Sequence, residues 1–146
     1  MARHSIGEFE KKGVVSIWVA IVPWRQIPGD YFEEHYGREK DEPFSRFAED
    51  FKFGFYDHDF VDTNAVTDQP KSVERLIGEC SYSTSFLAAA GAAVKRHKLE
   101  QADFVFLLYD IAYPPKITKV SRSEYMAFLG SFPYDTEASS AFPFEG

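Results

Sequence analysis

The chain has 146 residues, of which 45% are hydrophobic and 17% aromatic, so it carries enough apolar material to bury one core. Its formal net charge of −7 disfavours direct contact with nucleic acid or with an anionic membrane, because both are negatively charged. The single cysteine, Cys80, excludes an intrachain disulfide. We therefore expect one domain over residues 1–146, with no direct nucleic-acid or membrane partner.

Localisation follows from two further features. The N-terminal residues lack the basic region and long apolar run of a secretion signal. Every apolar stretch is far shorter than the roughly 20 residues that span a bilayer. We expect a cytoplasmic protein.

Residues 13–22 (GVVSIWVAIV) predict the first strand. Apolar residues occupy both its odd and its even positions, as expected of a strand buried on both faces. Residues 56–62 predict a loop that passes into a short strand. Residues 104–109 (FVFLLY) repeat the two-sided pattern and predict a second central strand. Residues 117–120 and 125–134 predict a third strand and a fourth, with Gly130 as a candidate bulge.

Helices are predicted between these strands. The predicted helices are residues 31–36 after an Asp30 cap, a short helix that begins at Ser45, residues 72–79 capped by Ser72, and residues 84–97 capped by Ser81 or Ser83. Two-sided strands separated by helices, with a late run of strands, predict an α+β fold with a mostly antiparallel sheet packed against helices. From about residue 135 we expect a loosely attached tail.

Catalytic patterns are missing from the sequence. It contains neither a G-x-S-x-G elbow nor a glycine-rich phosphate loop, and Cys80 fits packing better than nucleophilic chemistry. The best metal-ligand grouping is Asp57, His58 and Asp59 with Asp62, but that ligand set is incomplete, and a solvated acidic loop explains it more simply. We expect no enzyme activity, no metal and no cofactor, and keep a metal-dependent hydrolase using this segment as an alternative.

Acids and aromatic rings are interleaved over residues 44–62, with few basic residues between them. The residues concerned are Glu49, Asp50, Asp57, Asp59, Asp62, Phe47, Phe51, Phe53, Phe55, Tyr56 and Phe60. Such a composition is typical of a surface that binds a basic protein, where rings anchor the partner and acids steer it. A plain acidic loop over a core fits equally well, and a module that self-associates through exposed Phe and Tyr is a further alternative.

Four short motifs together resemble a known family. In chain order they are VSIWV at residues 15–19, FYDHDF at 55–60, CSYSTSF at 80–86 and LLYD at 107–110. Each motif is unspecific alone, but their order and spacing over residues 14–134 resemble the bacterial immunity protein 22 family. Two positions depart from the pattern: Ala20 stands where Gly is expected, and His58 stands where an acid is usual.

The resemblance implies an α+β, non-enzymatic immunity protein of a polymorphic toxin system. Such a protein binds and neutralises a cognate toxin domain, often a nuclease, in the bacterial cytoplasm. Trp18 matches the family's tryptophan, and we expect it to be a structural core residue. The residues expected to contact a basic toxin are Glu49, Tyr56, Asp57, Asp59 and Asp62. The oligomeric state does not follow from these patterns.

Overall fold

A computed structural model describes residues 9–36, 42–66 and 71–143. Its strands are β1 (Glu10–Ala20), β2 (Val61–Ala65), β3 (Lys71–Ser72), β4 (Gln101–Ala102), β5 (Phe104–Ile111) and β6 (Met126–Pro133). Its helices are α1 (Arg46–Asp50), α2 (Val73–Gly78), α3 (Leu87–Arg96) and α4 (Pro115–Thr118). Single 3-10 turns lie at Trp24–Gln26, His58–Phe60 and Ser83–Ser85.

Four strands form an antiparallel sheet in the order β2-β5-β1-β6, and β3 pairs with β4 in a separate two-stranded sheet. The two segments predicted to be central, β1 and β5, lie in the middle of the larger sheet. The predicted α+β fold with a mostly antiparallel sheet is confirmed. The small β3–β4 sheet was not predicted, since two-residue strands leave no periodic pattern to detect.

Each face of the sheet covers its own hydrophobic core. On one face, Trp18 and Phe106 pack with the rings of α1 and the loops around it. On the other face, Ile17 and Leu107 pack beneath α2 and α3 with mostly aliphatic neighbours. Because both faces are covered, neither central strand shows the alternation of a half-exposed strand.

Three predicted elements are confirmed with small shifts of their ends. The α1 helix begins after Ser45, whose Oγ accepts a hydrogen bond from the Ala48 N–H at 3.0 Å. The α2 helix begins after Ser72, which accepts from the Arg75 N–H at 3.4 Å. The short strand predicted at the end of residues 56–62 is β2, which begins at Val61.

The start of the long helix was predicted wrongly. The α3 helix begins at Leu87 after Phe86, and neither Ser81 nor Ser83 caps it. Ser83 is buried, and its Oγ donates to the Gly78 carbonyl while accepting from the Ala141 N–H, both at 2.7 Å. This hydroxyl joins the end of α2 to the C-terminal segment, a contact between residues too far apart for local sequence to indicate.

The helix predicted over residues 31–36 is also wrong. Turns hydrogen-bonded from the Tyr31 N–H to Pro28 and from the Glu33 N–H to Asp30 stand in its place. The neighbouring rings Tyr31 and Phe32 both pack into the aromatic core, which adjacent helical positions cannot do on one face. Gly37, the residue that follows the predicted helix, lies outside the described residues.

The strand predicted over residues 117–120 is wrong as well. The chain forms the single-turn helix α4, which has Pro115 at its first position. Proline fixes a helical φ and lacks an N–H that the first turn would leave unpaired, so Pro114-Pro115 favours a helix start.

The predicted fourth strand is β6, and it carries the predicted irregularity. Ile17 pairs with Gly130 whereas Trp18 pairs with Phe128, so the register shifts by one residue there. Gly130 has a φ of +156°, a backbone conformation that favours glycine. Beyond β6, the chain returns to the α2 end, where the Phe142 N–H donates to the Gly78 carbonyl at 3.0 Å.

Candidate functional site

The turn that leads into β2 presents two carboxylates side by side. The Asp57 Oδ1 accepts a hydrogen bond from the Asp59 N–H at 3.0 Å, and the Phe60 N–H donates to the Asp57 carbonyl at 3.0 Å. These bonds close the 3-10 turn His58–Phe60 and fix both acids on its exposed side. An Asp at the first position of such a turn is favoured because its side chain accepts an otherwise unpaired N–H.

A third carboxylate reaches this turn from a distant part of the chain. Glu34 accepts hydrogen bonds from His58 Nδ1 at 2.9 Å and from the Tyr36 hydroxyl at 2.8 Å. The bond to Glu34 raises the pKa of His58 and makes its cationic form more persistent. The separate hydrogen bond from the Tyr36 hydroxyl to Glu34 is the main cause of the raised pKa of Tyr36, and the charges of Asp57 and Asp59 contribute less. Five polar side chains, Glu34, Tyr36, Asp57, His58 and Asp59, therefore influence one another electrostatically.

Exposed aromatic rings border these acids. Tyr36, Phe55 and Phe60 are 64%, 37% and 41% exposed, and among the described residues Ile117 is the only other large hydrophobic side chain so exposed. Tyr36 and Phe55 both rest on the fully buried Phe44, with ring centroids 5.3 Å and 4.8 Å from it. The rings are thus exposed on one side and anchored to the core on the other.

A cavity of about 310 Å³ lies beside two of the exposed rings and one of the acids. Its walls include Phe55, Asp57 and Phe60, and its far side is the end of β5 with Glu10 and Lys12. The side chains around the cavity and the turn form one continuous surface, which we term the acidic–aromatic patch. Its members are Glu34, Tyr36, Phe55, Asp57, His58, Asp59 and Phe60.

Of the residues expected to contact a partner, Asp57 and Asp59 are brought together on the patch. Glu49 is exposed on α1, an element separate from this turn. Asp62 is half-buried on β2, where its Oδ2 accepts from the Ser81 N–H at 2.9 Å. Its carboxylate therefore holds the turn after α2 and is not fully available to a partner.

Tyr56 is fully buried, so its side chain does not face solvent. Its hydroxyl lies 3.5 Å from the Ser45 Oγ, and burial raises its phenol pKa well above the ordinary value. Its ring packs against Phe44 and Phe106, with centroids 4.9 Å and 5.8 Å away. Tyr56 supports the turn from inside and is not a member of the patch.

Trp18 lies at the centre of the aromatic core and is fully buried. Six rings surround it with centroids between 5.2 Å and 6.3 Å away: Phe47, Phe51, Phe53, Phe106, Tyr113 and Phe128. Its indole Nε1 is the one buried side-chain N or O in the described part of the chain that lacks a hydrogen-bond partner. The ring environment fixes the position of Trp18 by packing.

Sequence reasoning missed Glu34, Tyr36 and the exposure of Phe55 and Phe60. Glu34 falls within the helix predicted over residues 31–36, which does not form. Glu34 meets His58 across 24 positions of sequence, and only folding brings them together. The FYDHDF segment carried one indication, because its exposed histidine can form an ion pair with an acid from elsewhere in the chain.

The residues of the metal hypothesis do not assemble. Within residues 9–36, 42–66 and 71–143, no group of three or more His, Cys, Asp or Glu side chains has the geometry to hold a metal ion. Cys80 is buried and free, and burial raises the pKa of its thiol, which disfavours the reactive thiolate. The same described ranges contain no helix with the length and apolar character needed to cross a bilayer.

The fold and the site together define a small α+β domain whose candidate site is an exposed surface of acids and rings. The family model described as Immunity protein 22 matches residues 15–135, which include β2, β5, β6 and most of β1, and the chain belongs to that family. Membership supports an immunity role in general, implies a toxin partner in general, and suggests a non-enzymatic inhibitor. Comparison with curated proteins and with solved structures gives no match.

Proposed function

We propose that the protein binds and neutralises the cognate toxin domain of a polymorphic toxin system in the bacterial cytoplasm, and that the acidic–aromatic patch makes the contact. The observation that carries this proposal is the clustering of exposed rings with fixed carboxylates. Three of the exposed large hydrophobic side chains among the described residues border the same acids. Isolated exposed rings are common on proteins, whereas such a cluster marks an interaction surface.

The rings supply the anchoring part of the interface. Phe55 is held by the buried Phe44, so little side-chain entropy is lost when a partner covers it. Phe60 and Phe55 also line the 310 Å³ cavity, which offers space for an apolar side chain of the toxin. Aromatic residues beside a pocket are the type of contact that dominates binding energy.

The carboxylates supply charge complementarity to a basic toxin. Asp57 and Asp59 are exposed on the same turn, which holds the Asp57 carboxylate, and Glu34, whose side chain is only 14% exposed, lies behind them paired with His58. A nuclease must hold the phosphates of its substrate with cationic groups, and a surface of fixed carboxylates occupies such groups in their place. A nuclease is the toxin class that this surface fits best.

The test uses the toxin domain encoded beside this gene in its native genome as the probe. The variant Asp57→Lys/Asp59→Lys should weaken the complex at least about tenfold and release toxin activity, since each substitution replaces attraction with repulsion. The matched control is Glu124→Lys/Glu137→Lys, which changes the net charge equally at exposed positions outside the patch. Equal loss of binding in both variants would show that the patch is not the interface.

A further inference from the structure

A second concave surface lies at the other end of the sheet. It is a cleft of about 1030 Å³, bounded by the end of β1, the chain after α3, β4 and the segment that precedes β6. The patch cavity adjoins Glu10 and Ile111, whereas the cleft adjoins Ala20 and Ala102. Because the eight residues of β5 alone span about 26 Å, the cleft is separate from the patch.

Cationic side chains converge on this cleft from three separate parts of an acidic chain. Arg25 follows β1, Lys98 follows α3, and Arg122 precedes β6; all three line the cleft and are exposed. In the described part of the chain, Arg25, Lys98 and Arg122 form no ion pair. A chain with a net charge of −7 therefore places three cations that form no ion pair among the described residues in one concavity, beside the acids Glu100 and Asp103.

The end of α3 explains two cations beside the cleft but not the cations that line it. Lys95 and Arg96 occupy its last turn, where cations interact favourably with the partial negative charge of a helix C-terminus. Arg25 and Arg122 lie on other elements and have no such role. A ligand that carries negative charge would supply both with a partner.

The lining of the cleft distinguishes between classes of anionic ligand. The described residues that line it include no Phe, Tyr or Trp, although these make up 17% of the chain, and single-stranded nucleic acids are bound by stacking bases on such rings. Its apolar part is aliphatic, including Ile21, Val22 and Leu99. Glu100 and Asp103 also line it, so the cleft would repel a continuous run of negative charge and favours a ligand whose acids are spaced apart.

A peptide fits both parts of this lining. Its carboxylates would meet Arg25, Lys98 and Arg122, and its aliphatic side chains would cover Ile21 and Leu99. Its backbone N–H groups could donate to Glu100, whereas the Asp103 Oδ2 already accepts from the Trp24 N–H at 2.8 Å. We propose that this cleft binds an extended peptide segment of a partner protein, rich in carboxylates and aliphatic side chains. Its position lets that segment bind while the patch is occupied.

The experiment measures the fluorescence anisotropy of a labelled peptide of alternating Glu and Leu, titrated with the full chain at low salt. We expect saturable binding that weakens as salt is added and falls roughly tenfold in Arg25→Glu/Arg122→Glu. The control variant Lys116→Glu/Lys119→Glu changes exposed cations at α4 and should bind as the native protein does. Amide NMR shifts should change around residues 97–103 and stay constant around residues 55–60, a readout that needs no substitution.

Three results would overturn the proposal. They are absence of peptide binding by the native chain, equal loss in the α4 control variant, and tighter binding of a single-stranded oligothymidine than of the peptide. Toxin binding through the patch is a separate measurement. Loss of either interaction in a variant leaves the other proposal standing.

Discussion

The Asp57 carboxylate accepts a hydrogen bond from the Asp59 N–H at 3.0 Å, so the two acids are fixed to each other by one turn. This bond gives Asp57 two roles, since it supports the turn and also carries charge on the patch. Asparagine keeps the accepting oxygen and removes the charge, whereas alanine removes both. The two roles can therefore be separated by substitution.

For Asp57→Asn/Asp59→Asn we expect toxin binding to weaken roughly tenfold with an unchanged melting temperature, because two charges are lost and the turn is kept. Calorimetric titration and thermal unfolding measure the two quantities. Asp57→Ala should in addition lower the free energy of unfolding by about 1 kcal/mol. Equal stability of Asp57→Ala and Asp57→Asn would contradict the capping role.

Phe60→Ala should weaken toxin binding by more than about tenfold, because Phe60 is an exposed ring of the patch and lines the cavity that offers space for an apolar side chain of the toxin. Ile117→Ala is the matched control, since Ile117 is 62% exposed on α4 and lies outside the patch. Surface plasmon resonance with immobilised toxin measures both variants. If the two lose the same amount of affinity, the exposed rings of the patch are not anchors.

The His58–Glu34 pair predicts a pH dependence with a definite sign. Because the pKa of His58 is raised in the folded protein, the pair stabilises the fold below the ordinary value of 6.5 and loses this effect as pH rises through the raised value. His58 is largely exposed, so solvent screening keeps the effect below about 1 kcal/mol. Glu34→Gln should therefore lower the melting temperature more at about pH 5.5 than at about pH 9.

The same pair can be followed directly by NMR. The titration midpoint of the His58 ring should move to lower pH in Glu34→Gln, because the hydrogen bond to a carboxylate is the main cause of the raised pKa. Glu137→Gln, at an exposed position outside the patch, is the matched control and should leave the His58 curve unchanged. An unchanged His58 curve would mean that Glu34 does not hold the imidazole in solution.

Trp18→Ala should lower the free energy of unfolding by about 3–5 kcal/mol, because it opens a cavity among six rings. Trp18→Phe should cost much less, since it keeps a ring and removes an indole N–H that has no hydrogen-bond partner. Urea denaturation measures both values. A cost for Trp18→Phe as large as that for Trp18→Ala would show that the N–H has a partner in solution.

Ser83→Ala should lower the free energy of unfolding by about 1–3 kcal/mol, because the Gly78 carbonyl and the Ala141 N–H would both lose a buried partner. The segment after residue 135 should then become more sensitive to protease. Ser140→Ala, at an exposed position of the same segment, is the control and should change neither quantity. Limited proteolysis with mass spectrometry measures the effect.

Local patterns were sufficient where local physics decides the structure. The two central strands follow from their continuous apolar runs, α1 and α2 follow from Ser caps and apolar spacing, and the β6 irregularity follows from Gly130. Local reasoning failed where contacts between distant residues decided. Tyr31 and Phe32 do not form the predicted helix because both rings pack into the core. Ser83 does not cap α3 because its hydroxyl bonds to Gly78 and Ala141.

The sequence by itself determined the fold class, the family and the position of the acid-rich segment, because all three depend on residue type and order. It could not determine which rings of that segment are buried, since Tyr56 and Phe55 are neighbours of the same chemical class and only packing separates them. Tertiary structure alone brought Glu34 to His58 and gathered Arg25, Lys98 and Arg122 around one cleft. Both groupings join positions far apart in the chain, and the distance between such positions in space is set by how the sheet and its covering elements pack.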